Sequence, residues 1–383
     1  MRIAMLTSLP FPPEEGVGYY VYNLSRELMS RGHSVTVVTR GRPLHAERLD
    51  VGGIDVVRLP HIPYFPLRVH MHGVLVGRFL RPQVDEYDLF HVHSPLVASP
   101  PPIAPILTTI HTPMMIAARA LSSYTPHTLL MRAQSVVSVR IERRLFARSQ
   151  ALVSVARSVS SELAAYGLSP ESVAVMGNGV DPAVFFPGPP SAQPPVILYS
   201  GRLDETKGLG DLLDAMPEIA SAVPSVTLRI VGKGHLRQSL EERSLRLGIA
   251  HRVEFVGYVS NERRSNLLTL YQDAAAYVQP SHYEGLPTSL LEAMSCARPC
   301  VATAVSGHLD VMRDGVNGVL VPPHAPRSLA AALIRVLSDR SFASAIAGEG
   351  RRTVEAHYTW ARVADRYIEQ YATAQERFAG ARQ

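Results

Sequence analysis

Glu284 and Glu292 stand eight residues apart in the stretch from Ser281 to Met294, with Gly285, Leu286, Pro287, Thr288 and Ser289 between them. Ala274 to Val278 reads as the short buried strand that feeds this stretch. Gly285 and Pro287 punctuate a turn, and Leu290 to Met294 is strong helix-forming sequence that Thr288 or Ser289 can cap. A helix N-terminus presents unpaired backbone N–H groups and about half a positive charge, so it attracts phosphate. Pro287 has no N–H, which leaves the amides of Leu286, Thr288 and Ser289 as the donors. A carboxylate accepts hydrogen bonds from the paired hydroxyls of a sugar or ribose. Glu284 before the anion site and Glu292 about one turn inside the helix therefore suit a ligand with a sugar at each end and phosphate between, which describes a nucleotide sugar. The ordinary alternative is a capped helix with two solvated glutamates.

Breaking the bond from a sugar to a diphosphate requires positive charge on the leaving group, a grip on the sugar hydroxyls, and exclusion of water. Many enzymes supply the charge with a metal bridged by Asp-x-Asp, a tripeptide this chain does not contain. Arg202 and Lys207, flanked by Gly201 and Gly208, are candidate substitutes as two fixed cations. Either alone would pass for a surface residue; their spacing and their place after a strand favour phosphate. His111 closes the strand read at Leu107–His111, at the kind of strand end where open α/β sheets gather ligands. That position sets it apart from the other histidines of the fifteen. His91-x-His93 and His70-x-His72 raise the question of metal, but neither has a cysteine or carboxylate at ligand spacing. On a strand, His91 and His93 are expected to point to opposite faces. No metal is expected.

These residues need elements to hold them. Arg2–Thr7 reads as a strand, Gly16-Val17-Gly18 as a turn, Tyr19–Arg31 as a helix and Ser34–Thr39 as a second strand. This is the opening of a Rossmann-like sheet. The dinucleotide fingerprint is incomplete, because Val21 occupies the place of the third glycine. Further strands are read at Ile54–Leu59, Leu89–Val92, Leu107–His111, Ala151–Val155 and Val173–Met176. Thr128–Arg148 reads as a long helix, with a stripe of Val137, Ile141 and Leu145 and a basic complement of Arg132, Arg140, Arg143, Arg144 and Arg148. It is either a sheet-covering helix or a membrane-surface contact. Pro187–Pro195 has no periodic pattern and reads as a linker. The α/β rhythm restarts at Val196–Ser200 and continues through Thr227–Val231, Val253–Val256, Pro299–Ala302 and Gly318–Val321. Ser306–Asp310 reads as a turn, and a final helix starts at Trp360.

The chain has 383 residues, which favours two domains. A net charge of +5 favours anionic partners without pointing to nucleic acid. Cys296 and Cys300 have neither zinc nor redox spacing and read as small buried residues. A reducing cytoplasm fits, with no signal peptide and no membrane span expected.

Glu-Gly-Leu-Pro…Leu-Leu-Glu-Ala-Met, with seven residues between the glutamates, resembles the signature of retaining glycosyltransferases of the family 4 type. The resemblance implies α/β class and the GT-B fold, two Rossmann-like doubly wound domains facing each other across a cleft. It implies an acceptor-side domain over 1–186, the linker 187–195, a nucleotide-sugar-binding domain over 196–357 and a helix at 358–383 that crosses back to the first domain. By resemblance the Gly16-x-Gly18 loop approaches the donor phosphates and His111 lies near the transferred sugar. Arg202 and Lys207 clamp phosphate, Glu284 contacts the donor sugar, Glu292 contacts the nucleotide ribose, and Val259 meets the base through its backbone. The expected reaction is retaining hexosyl transfer from a UDP-, GDP- or ADP-linked sugar to a lipid or glycan, without metal or other cofactor. Peripheral contact with the inner membrane face is compatible with this. Acceptor contacts are expected in the loops Leu59–Gly73, with Tyr64 and Phe65, and Pro95–Pro105, with Pro100 to Pro102. Two departures stand out: Ser306-Gly307-His308-Leu309-Asp310 replaces the frequent Gly-Gly-x-Pro-Glu, and Leu286-Pro287 replaces Phe-Gly.

Three other readings compete. A nicotinamide oxidoreductase needs a complete glycine fingerprint and an acidic residue after the second strand, where Arg40-Gly41-Arg42 stands. A non-catalytic sugar-nucleotide-binding subunit of a glycan assembly complex fits less well with Arg202, Lys207, Glu284 and Glu292 all in place. A basic nucleic-acid binder needs an aromatic-plus-basic motif that is missing.

Overall fold

A computed structural model describes residues 1–9, 11–13, 16–43, 45–61, 67–94, 100–111, 113–115, 126–188, 194–259 and 264–381. The chain divides into two units, Met1–Gly177 with Trp360–Gln383, and Asn178–Thr359. The first boundary falls ahead of the expected linker. Val180 and Phe185 pack in the second unit's core, and the Val180 N–H donates to Tyr358 O at 2.8 Å.

In the first unit, strands β1 (Arg2–Leu6), β2 (Ser34–Pro43), β3 (Glu47–Val51), β4 (Ile54–His61), β5 (Leu89–Ser94), β6 (Ile106–Ile110), β7 (Ala151–Ser154) and β8 (Ala174–Val175) form one sheet in the order β3-β4-β2-β1-β5-β6-β7-β8. All neighbours run parallel except β3, an antiparallel edge strand. The sequence reading missed β3, because its alternating residues are half-exposed rather than apolar. The helices are α1 (Gly16–Ser30), α2 (Leu67–Leu80), α3 (Pro126–Arg148) and α4 (Arg157–Glu162). Gly16 and Gly18 therefore lie in the first turn of α1 and not in a loop, and a Cβ on Gly16 would meet nothing within 4 Å. Of the expected loop 59–73, residues 59–61 end β4 and 67–73 begin α2; residues 62–66, with Tyr64 and Phe65, and 95–99 lie outside the described residues. On α3 the buried face runs through Ser138, Glu142, Leu145 and Phe146, and Val137 is 45% exposed. Of the expected stripe Leu145 is buried, but Ser138 and Glu142 face inward in place of Val137 and Ile141, with Glu142 accepting from Ser94 Oγ at 2.8 Å and the Met114 N–H at 3.0 Å.

His91 and His93 share one face of β5, since residues two apart on a strand point the same way. Their rings stack with centroids 4.2 Å apart, which overturns the opposite-face expectation. The C-terminal helix α12 (Trp360–Gly380) belongs to this unit. Its apolar stripe of Trp360, Val363, Ala364, Tyr367, Tyr371 and Ala374 is buried against the sheet. The Tyr371 hydroxyl lies 2.8 Å from His91 Nδ1, and the Tyr367 hydroxyl lies 2.7 Å from Thr109 Oγ1.

The second unit has six parallel strands in the order β11-β10-β9-β12-β13-β14. They are β9 (Val196–Ser200), β10 (Thr227–Val231), β11 (Val253–Gly257), β12 (Ala276–Gln279), β13 (Cys300–Thr303) and β14 (Val319–Val321). Helices α5 (Leu209–Ala222), α6 (Arg237–Arg246), α7 (Arg264–Asp273), α8 (Thr288–Ser295), α9 (Ser306–Val311), α10 (Pro326–Ser338) and α11 (Arg340–His357) complete it. Ser306–Asp310, read as a turn, is thus helical; Ser306 Oγ and the Gly307 N–H are used on the Glu284 carbonyl. Cys296 and Cys300 are buried and free. Strand order reverses between β9 and β12, and ligands of open α/β sheets bind beyond the strand ends at such a point. Among the described residues no helix is long and apolar enough to cross a membrane.

Candidate functional site

Two segments leave the sheet at that reversal, Gly201–Gly208 after β9 and Pro280–Pro287 after β12. They are joined closely. The His282 N–H donates to Thr206 O at 2.8 Å. Gly208 has φ of +60°, and a Cβ there would stand 2.0 Å from Pro280 O. Only glycine permits both the backbone twist and the approach.

This contact brings Lys207 and Glu284 together from 77 residues apart. Lys207 Nζ donates to Glu284 Oε2 at 2.6 Å, with side chains only 11% and 12% exposed. Ser281 Oγ at 3.0 Å and Gln279 Nε2 at 3.2 Å donate to the same oxygen. Burial by itself would raise the Glu284 pKa; the charge and hydrogen bond of Lys207, helped by Ser281, outweigh it and hold the carboxyl below its usual range. Gln279 carries the chain onward, because its Oε1 accepts from Ser289 Oγ at 3.2 Å. The cation is thereby linked to the first turn of α8.

Pro287 is the N-cap of α8, without a side-chain cap. The expectation that Thr288 or Ser289 caps the helix is overturned, since Thr288 is already helical and Ser289 Oγ bonds Gln279. The first-turn amides, Thr288 and Ser289 among them, have no intrahelical acceptor by geometry. Leu286 is buried, and its carbonyl accepts from Asn178 Nδ2. Glu292 follows one turn in, accepting from the Tyr271 hydroxyl at 2.7 Å. Val259 packs at the edge of the second unit's core. Arg202 differs from Lys207: its side chain is 76% exposed, and Nη2 stands 3.3 Å from Asp204 Oδ2. It is a solvent-exposed cation paired with Asp204, not a buried one paired with Glu284.

The sequence reading missed Gln279, Ser281 and His308. Gln279 and Ser281 have no motif of their own, although both lie within five residues of Glu284. His308 is fully buried, its Nδ1 is 2.7 Å from Thr303 O, and its Nε2 has no hydrogen-bond partner. Burial, partly countered by the Glu284 charge, lowers its pKa.

His111 follows the C-terminal end of β6 in the first unit. Its Nε2 lies 3.2 Å from His93 Nδ1, and its ring meets Tyr20 edge-on at 4.9 Å. His91 lies 2.7 Å from Thr109 Oγ1, and His93 Nε2 lies 3.4 Å from Met5 Sδ. These nitrogens are occupied by protein neighbours rather than arranged around an ion. Burial lowers the pKa of all three histidines from the ordinary 6.5, that of His111 to about 3. The folded unit thus holds them neutral, whereas the unfolded chain protonates them as pH falls below 6.5. Their contribution to stability is complete above 6.5 and is lost on the acid side, each at up to about 1.4 kcal/mol per pH unit. Hydrogen exchange of β5 and β6 amides is expected to show protection free energy falling steeply between pH 6.5 and 5. A flat profile would mean that these rings are protonated in place.

Residues 182–353 match the family model described as glycosyl transferases group 1, and residues 15–184 match the model of glycosyltransferase family 4. The chain is a GT-B glycosyltransferase. A glycosyltransferase of Methanocaldococcus jannaschii is 29% identical over 98% of this chain and 99% of its own length. The glycogen synthase of Mycobacterium tuberculosis is 28% identical over 98% and 95%. Sucrose-phosphate synthase of Thermosynechococcus elongatus has the same fold, with a TM-score of 0.79 at 22% identity over 97% of this chain and 98% of that one. Within this glycosyltransferase, the group 1 match spans Arg202, Lys207, Glu284, His308 and Glu292, and the family 4 match spans His111.

Proposed function

We propose that this glycosyltransferase moves a hexose from a nucleotide-diphosphate sugar to a lipid or glycan acceptor, with retention and without metal. The reading is carried by the Lys207–Glu284 pair and its link through Gln279 to the first turn of α8. One buried cation and a set of helix-terminal amides together can neutralise a pyrophosphate as its bond to the sugar breaks. Arg202 closes on the phosphates when the donor arrives, which its exposure permits. Glu284 orients a donor-sugar hydroxyl through the carboxylate oxygen that Lys207 leaves uncommitted, and Glu292 receives the ribose. His111 serves the transferred sugar by resemblance to the family. No side chain of the site is assigned as a nucleophile. The acceptor attacks from the face the nucleotide leaves, and the departing diphosphate takes the proton.

Melting shifts with a panel of UDP-, GDP- and ADP-sugars are expected to select one nucleotide, and that donor is then used for turnover. Glu292→Ala is expected to lower kcat/KM by about 100-fold or more, the order of a lost charged contact in the transition state, whereas excess EDTA leaves turnover intact. Binding of a donor with no turnover on any lipid or glycan would favour the non-catalytic subunit. Loss of turnover in EDTA would sink the metal-free mechanism.

A further inference from the structure

Three side chains outside the pyrophosphate machinery converge in the second unit: Asp211 from the first turn of α5, His282 from the turn after β12, and His324 from the segment after β14. His282 Nε2 lies 2.8 Å from Asp211 Oδ2, and the His282 and His324 rings face each other with centroids 3.7 Å apart and planes inclined by 33°. One ligating atom from each residue lies within 4.8 Å of the other two. Two ligands about 2.1 Å from one ion stand about 3.0–3.4 Å apart at octahedral to tetrahedral angles. The His282–Asp211 spacing lies just below that range, and a ligating nitrogen of His324 lies within 4.8 Å of both.

The backbone around the cluster is specific. His324 has φ of +58° in the sequence Pro323-His324-Ala325, a left-handed conformation that few non-glycine residues adopt. At Gly208, an added Cβ would come 3.0 Å from His282 Nε2. His282 and Asp211 are 25% and 23% exposed and His324 is exposed, so an ion held here keeps open positions toward water.

We propose that Asp211, His282 and His324 form a binding site for a divalent transition-metal ion of the zinc class. Two imidazoles and one carboxylate are a borderline donor set that suits zinc and its first-row neighbours better than magnesium or calcium. The ion takes the place of the proton shared between His282 Nε2 and Asp211, and the His282 ring carries its proton on Nδ1. It staples the β14 segment and α5 to the turn that ends in Glu284. The site is separate from the diphosphate chemistry, and the proposal does not depend on which donor is used.

The test uses full-length protein without a histidine tag, stripped of metal. Titration with Co2+ is expected to give a visible d–d band that saturates at one equivalent. Zn2+ is expected to bleach it and to raise the melting temperature. His324→Asn keeps a residue tolerant of left-handed φ but removes the imidazole, and Asp211→Asn removes the carboxylate. Each is expected to fold with an unchanged metal-free circular dichroism spectrum, to weaken Co2+ binding by more than about tenfold, and to abolish the Zn2+ melting shift. Absence of saturable binding would overturn the proposal and leave the cluster as a histidine–aspartate ion pair. Binding that survives both substitutions would overturn it by placing the ion at other histidines.

Discussion

Replacing Lys207 with methionine is expected to lower kcat by about 10³-fold and to destabilise the second unit. The ammonium is the held cation of the pair, and removing one preorganised charge from a site of this kind costs about 10²–10³ in rate. It also leaves the Glu284 carboxylate, 12% exposed, without its cation. Breaking one side of such a buried pair costs about 3–5 kcal/mol. The two effects separate in the double variant Lys207→Met with Glu284→Gln. The amide keeps acceptors for Ser281 and Gln279 but carries no charge, so stability in urea is expected to return while turnover stays absent. The single variant should also lose its protection as pH rises, not as it falls. Above the carboxylate range Glu284 is ionised and unpaired, and below it the protonated acid tolerates burial. Full turnover in Lys207→Met would remove the basis for metal-free leaving-group stabilisation.

Gly307→Ala is expected to be the most damaging methyl group that can be added to this unit. A Cβ at Gly307 would lie 1.0 Å from Gly285 O and 3.0 Å from Glu284 O. Both obstacles are backbone, so no rotamer change relieves them. The Gly307 N–H and Ser306 Oγ also hold the Glu284 carbonyl, at 3.2 Å and 3.0 Å. The methyl group must either push α9 from the turn or push the turn from Lys207. A loss of about 3–5 kcal/mol is expected, in the range reserved for named core disruptions, together with loss of the donor-induced melting shift. Gly285→Ala is the matched control. A Cβ at Gly285 would meet nothing within 4 Å, and its φ lies outside the left-handed region. It is expected to change stability by no more than about 1 kcal/mol. Denaturant melts of the two variants decide the matter; equal losses would mean that α9 yields easily.

That contrast shows how far residue types carry an inference. Gly285 draws the eye in the sequence because it follows a buried strand and precedes a helix, yet its backbone is ordinary. Gly307 belongs to a segment read as a loose turn, and its need for hydrogen in place of a side chain arises only when α9 meets the Glu284 turn. Gly16 repeats the lesson, since the incomplete fingerprint proved to be the opening turn of α1. On β5 the opposite-face expectation for His91 and His93 fails because residues two apart on a strand share a face, and their rings stack.

Local pattern was sufficient for most of the scaffold. Val196–Ser200 is largely apolar because a central parallel strand is covered on both sides, and it and Thr227–Val231 appear as strands with the expected ends. The amphipathic C-terminal helix was equally plain. The edge strand β3, whose residues alternate between half-buried and exposed, carries no apolar run that marks it as a strand.

The sequence by itself determined two α/β sheets and the residue types of a phosphate-and-sugar site, because those depend on periodicity and on the charge carried by each side chain. Only the tertiary structure decided that Lys207 is buried against Glu284 while Arg202 stays exposed beside Asp204. It also decided that Gln279 links the pair to α8, and that Asp211, His282 and His324 meet. Such pairings cross tens of residues, and the order of strands in the sheet, which brings them together, is a property of packing that no local stretch of chain encodes.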